Sequence, residues 1–138
     1  MRRVVLTAIA AVLAAACAGT TTTPAAPNRT VEGQWGGVSV SLVVTPTGGT
    51  VVYDCAHGDI IAPLVLDASG GFDVPGTFVR ERGGPVRDND VPDVRPARYA
   101  GRIAGGMMSL TVTRSDSAIT VGSFRLERAS QGRVVKCL

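Results

Sequence analysis

A chain of 138 residues with 14 basic and 11 acidic side chains carries a formal charge of +3, and its basic residues form no stripe that could neutralise phosphates. It holds 17 glycines and 8 prolines, with sparse Glu, Lys and Leu, which favours short strands joined by turns over helices. These features exclude a nucleic-acid groove and a polybasic membrane patch, and no cofactor fingerprint occurs.

Met1-Arg2-Arg3 opens onto Val4 to Ala16, an uncharged run with one hydroxyl at Thr7. A positive n-region, a short apolar stretch and a small-residue ending read as a signal peptide over 1–16. The run is shorter than the about 20 apolar residues that a membrane-spanning helix needs. It stops at Leu13-Ala14-Ala15-Ala16-Cys17, which resembles the lipobox of bacterial lipoproteins, with Ala14 where a larger aliphatic residue is usual. The resemblance implies cleavage before Cys17, a diacylglyceryl group on its sulfur and often a further chain on its amine. Each buried methylene contributes about 0.8 kcal/mol, so two or more chains hold a protein to lipid where one gives only marginal binding. Ala18 lacks the aspartate that retains such proteins at the inner membrane of diderm bacteria. The expected location is therefore the outer membrane, through the lipid anchor, or the plasma membrane of a monoderm. The alternative is an ordinary signal cut near Ala14 or Ala16. Loss of Arg2 and Arg3 with the signal leaves twelve basic residues against eleven acidic.

Residues 17–30 read as the lipidated cysteine and a flexible tether, because Ala18 to Arg29 holds no large apolar residue. Extended, that segment reaches about 37 Å. Residues 31–138 then form one domain. After Gly33-Gln34-Trp35, the row Val38, Val40, Leu42 and Val44 alternates with Ser39 and Ser41, the period of a half-buried strand. Pro46-Thr47-Gly48-Gly49 turns the chain, and Val51, Tyr53 and Cys55 form the next inward row. His57-Gly58-Asp59 reads as a turn, and Ile60 to Leu66 as a third strand interrupted by Pro63. Asp67 to Gly71 is a loop rich in turn formers, followed by Phe72, Val74 and Phe78 in phase.

Glu81 to Pro96 shows no pattern and reads as the one long loop. Tyr99, Gly101 and Ile103 mark a fifth strand, and Gly105-Gly106 a two-residue turn into Met108, Leu110 and Val112. In the seventh strand the apolar parity flips at Gly122, between Ile119 and Val121 on one side and Phe124 and Leu126 on the other, which calls for a bulge. Val134 to Leu138 is the eighth. Eight strands with short turns predict an all-β fold, a small antiparallel up-and-down barrel in which the last strand pairs with the first. A two-sheet sandwich is the second choice. Strands of about five to seven residues predict a narrow barrel filled by its own side chains.

With Cys17 acylated, Cys55 and Cys137 remain in an oxidising compartment, and a disulfide between them is the simplest account; two free thiols remain open. Cys55 and His57 lack the further ligands of a zinc site.

The Gly-x-Trp opening at Gly33-Gln34-Trp35, the glycine-punctuated hairpins and the returning last strand resemble calycin-type barrels, such as avidins, lipocalins and bacterial inhibitors of serralysin proteases. The segment Tyr53-Asp54-Cys55-Ala56-His57-Gly58 together with the ending Lys136-Cys137-Leu138 is similar to small uncharacterised bacterial lipoproteins, which have no assigned activity.

His57 is the only histidine, so acid–base chemistry near neutral pH would centre on it or on a shifted carboxylate, but no nucleophile elbow accompanies it. A solvated turn histidine is the plainer reading, and no enzyme is expected. Asp88, Asn89, Asp90 and Asp93 could offer oxygen to calcium, yet their spacing fits no loop consensus, and Arg82, Arg87, Arg95 and Arg98 around them point to a surface ion-pair mesh. Trp35 either plugs one barrel end or anchors a partner. The expectation is a lipid-anchored envelope protein without metal or cofactor. It binds or supports an envelope protein partner through surface contacts at Trp35, Arg82, Arg87, Asp88, Asp90, Asp93 and Arg95. The alternatives are a small-molecule ligand inside a calycin-like barrel, or protease inhibition by the segment before Trp35.

Overall fold

The computed structural model describes residues 28–137; the signal segment 1–16, Cys17, the tether up to Pro27 and Leu138 lie outside the described residues. The strands are β1 (Arg29–Thr30), β2 (Gly33–Gly37), β3 (Val40–Thr45), β4 (Gly48–Tyr53), β5 (Ala56–Ile60), β6 (Val65–Leu66), β7 (Gly71–Arg80), β8 (Val94–Ala104), β9 (Met107–Arg114) and β10 (Thr120–Arg128). Eight of them close an antiparallel barrel in the order β10-β2-β3-β4-β5-β7-β8-β9, and β1 pairs with β6 in a ladder of its own. The fold class is the one that the alternating rows predict. The closing ladder joins Leu126 to Gly37, Glu127 to Gly36 and Arg128 to Trp35.

Period-two burial carries the core. Val40, Leu42 and Val44 on β3, Val51 and Tyr53 on β4, Phe72 and Val74 on β7, and Met108, Leu110 and Val112 on β9 all point inward. The neighbouring outward positions carry residues such as Ser41, Thr50, Asp73, Arg98 and Thr111. That is the reverse of a transmembrane barrel, whose outer face is apolar. Gly105 and Gly106 both adopt positive φ, as a two-residue primed turn requires. The predicted bulge in β10 is present, with the register shift between Thr120 and Gly122.

Several expectations change. Gly33–Gly37 is a full barrel strand rather than a lead-in, because Gly36 has no Cβ to collide with Ser130, Gln131 and Gly132, which lie across it. His57-Gly58-Asp59 lies inside β5, not in a turn. Gly58 and Gly76 face inward, and their missing side chains leave the slot filled by the Tyr99 ring, whose hydroxyl donates to the Thr77 carbonyl at 2.6 Å. The segment from Val134 on is no barrel strand: Ala129, at φ 58°, ends β10, and the tail runs back over the outside, with Arg133 bridging Val38 in parallel. Val38 is accordingly exposed, and so is Ile119. Arg29 and Thr30, read as tether, pair with Leu66 and Val65.

The two ends of the barrel differ. Where β2 and β7 begin and β5 ends, Val31, Leu64 and Leu66 are buried in the same core cluster as Trp35 and seal the end. Trp35 is 1 % exposed, so it belongs to the interior and cannot be a partner contact, and the Arg128 guanidinium lies 5.8 Å from its ring centroid.

Replacing Gly58 by alanine puts a methyl against the Thr77 carbonyl oxygen and the Tyr99 hydroxyl. The expected cost is about 2 kcal/mol, read as a lower urea midpoint. An unchanged midpoint would show that the Tyr99 slot is not tightly packed.

Candidate functional site: the open mouth of the barrel

At the opposite end the interior is not filled. A recess of about 430 Å³ opens there, lined by Tyr53, Cys55, Ala56, Phe78, Phe124 and Val121, with Ser39, Asp54, Arg80, Arg114 and Ile119 around it. The sequence pattern points to a filled core, and the lower barrel meets that expectation. The mouth departs from it because β7, β8 and β10 run to 10, 11 and 9 residues, longer than predicted, and carry their inward rows above the packed layer.

Those rows change character at the rim. On β7 the inward series Phe72, Val74, Gly76, Phe78 ends in Arg80, and on β9 the series Met108, Leu110, Val112 ends in Arg114. The Tyr53 ring sits between Phe78 and Phe124, with centroids 5.8 and 5.4 Å away. Its hydroxyl is buried and has no hydrogen-bond partner, and burial beside the Tyr99 hydroxyl raises its pKa above the ordinary tyrosine value. Asp54 accepts from the Val135 amide at 2.8 Å; hydrogen bonds from Ser39 and Val135 hold its carboxyl below the usual range.

The arginines are not equivalent. Arg114 meets Asp116 through Nε at 3.1 Å and a terminal nitrogen at 2.8 Å, which raises its own pKa and lowers that of Asp116. Arg95 pairs with Asp93 at 2.6 Å and reaches Asp116 at 3.6 Å. Arg80 has no ion pair among the described residues.

Cys55 and Cys137 form a disulfide with Cα atoms 5.1 Å apart, and this bond fixes the tail to the rim. Beside it, His57 Nδ1 lies 2.8 Å from Glu81, and the Lys136 ammonium reaches the same carboxylate at 2.9 and 3.1 Å. Glu81 is held below the ordinary carboxylate range, first by Lys136 and then by His57. Glu81 is therefore the middle of a surface cluster that holds His57 on one side and Lys136 on the other, and among the described residues no hydroxyl or thiol is hydrogen-bonded to His57.

The remaining candidates lie in the exposed loop from Glu81 to Asp93, also at the open end. Arg87 and Asp90 close a short turn, the Arg87 amide donating to the Asp90 carboxylate and the Asp90 amide to the Arg87 carbonyl. Arg82 and Asp88 are exposed and make no ion pair among the described residues. Arg98 leaves the expected mesh and pairs with Asp73 on β7. Asp88, Asp90 and Asp93 do not converge, and among the described residues no group of three metal-ligating side chains forms. Of the segment before Trp35, Arg29 and Thr30 are paired, Val31 is buried and Gly33 begins a barrel strand.

The eight-stranded closed barrel is consistent with calycin-like barrels in general. Comparisons with protein-family models, curated proteins and solved structures return no match.

Two outcomes follow. The Glu81 contribution to stability is present above its ordinary value of 4.5 and is lost as the pH falls through its lowered folded value, so Glu81→Gln should matter at pH 7 and become silent in acid; an equal effect at both would contradict the ion cluster. A double Cys55→Ser, Cys137→Ser variant loses a cross-link spanning 82 residues, with a chain-entropy ceiling of about 4 to 5 kcal/mol, and should unfold at lower urea than the parent. Equal midpoints would refute a stabilising bond.

Proposed function

We propose that the protein is a lipid-anchored envelope protein, non-catalytic, whose barrel binds a small molecule in its open mouth. The recess of about 430 Å³ between Tyr53, Phe78 and Phe124 carries this reading. A pocket of that size, with aromatic walls and a few polar groups at its rim, is the usual form of a small-ligand site. The sealed opposite end makes it a cup rather than a channel.

The anchor rests on the Arg2-Arg3 n-region, the apolar run and Cys17. Among the described residues the chain enters the barrel through β1 at the sealed end, opposite the mouth. A protein partner is the second reading, favoured by Val86 and Val91, which stand 86 % and 89 % exposed in the loop beside the mouth.

Two measurements test the reading. Intact mass of the protein from its native envelope should show cleavage before Cys17 and a diacylglyceryl adduct; an unmodified Cys17 would remove the anchor. Titration of the isotope-labelled domain with the neutral probe N-phenyl-1-naphthylamine should shift Tyr53, Ala56, Phe78 and Phe124. Shifts confined to the Glu81–Asp93 loop, or none, would defeat the cup.

A further inference from the structure

We propose that the mouth selects a singly charged organic acid, with the apolar body on Tyr53, Phe78 and Phe124 and the acid group at Arg80. The inference rests on the cup described above and adds the charge of its occupant. Three observations carry it.

Arg80 is the last member of an inward row, following Phe78 by two residues on the same face of β7, so its stem continues the apolar wall and its guanidinium stands at the rim. Two other arginines at this end are neutralised within the protein, Arg114 by Asp116 and Arg95 by Asp93 and Asp116. Arg80 alone among these three lacks a carboxylate partner among the described residues.

The one carboxylate that lines the recess is Asp54, and it is engaged by Ser39 and the Val135 amide, which fix it toward the tail. A guanidinium offers several fixed donors that suit a carboxylate or sulfonate, and Arg80 is the lining cation that has no carboxylate of its own among the described residues. The space also limits the ligand: about 430 Å³ accepts a two- or three-ring body or a short chain.

The test uses two probes on one skeleton, 1-anilinonaphthalene-8-sulfonate and the neutral N-phenyl-1-naphthylamine, titrated by fluorescence against the folded, disulfide-bonded domain. The sulfonate should bind about tenfold more tightly, as one charge-assisted contact predicts. Arg80→Gln should close that gap and Arg80→Lys should keep most of it, with urea midpoints confirming that both variants are folded. Equal affinity of the parent for both probes, or a gap that survives Arg80→Gln, would overturn the acid preference and leave the cup standing. Failure of both probes to bind would overturn the cup as well.

Discussion

The architecture depends on one ladder, the pairing of β10 with β2. Without it the sheet has two free edges, each a row of unpaired amides and carbonyls. Closing it requires the backbone around Gly36 and Gly37 to be approached from two directions at once: β10 pairs with it, and residues 130–133 of the tail lie over it. A side chain at Gly36 would strike the Gly132 amide, and one at Gly37 would strike the Arg125 carbonyl. Two adjacent glycines therefore make closure and tail packing compatible.

Closure divides the interior into a packed part and an open one. At the sealed end Trp35, Val31, Leu64 and Leu66 fill the section, and in the middle Tyr99 occupies the space that Gly58 and Gly76 leave. Above that layer the inward rows terminate in Arg80, which is exposed, and Arg114, whose head is held by Asp116. The tail then stiffens the rim at separate points: the Val135 amide on Asp54, Lys136 on Glu81 and Cys137 on Cys55. A rigid, partly apolar mouth is what a preformed small-ligand site requires.

Much of the fold is legible in the residues because a period of two is unambiguous in β3, β4, β7 and β9. The Gly105-Gly106 turn and the parity break before Phe124 are equally plain, since each rests on local backbone chemistry. The disulfide is legible from cysteine count and compartment. The misreadings share a cause. Gly58 and Asp59 are turn formers by local preference, and only the distant Tyr99 explains a glycine there in mid-strand. The tail from Val134 has the composition of a strand, and the positive φ at Ala129 that ends β10 is not marked by a glycine. Trp35 admits both an inside and an outside role until burial decides it. The site was the least legible part. Its signal is the i, i+2 series from Phe72 through Phe78 to Arg80, which becomes meaningful only once the length of β7 places Arg80 on the barrel rim.

The most direct measurement of the closed barrel is the detection of backbone hydrogen bonds by through-bond NMR couplings in the folded domain. Couplings and cross-strand proton contacts joining Leu126 with Gly37 and Arg128 with Trp35 are expected. Contacts that instead pair the segment from Val134 onward with Val40–Thr45, leaving Gly33–Gly37 unpaired, would contradict the closure and, with it, the mouth at which the ligand is placed.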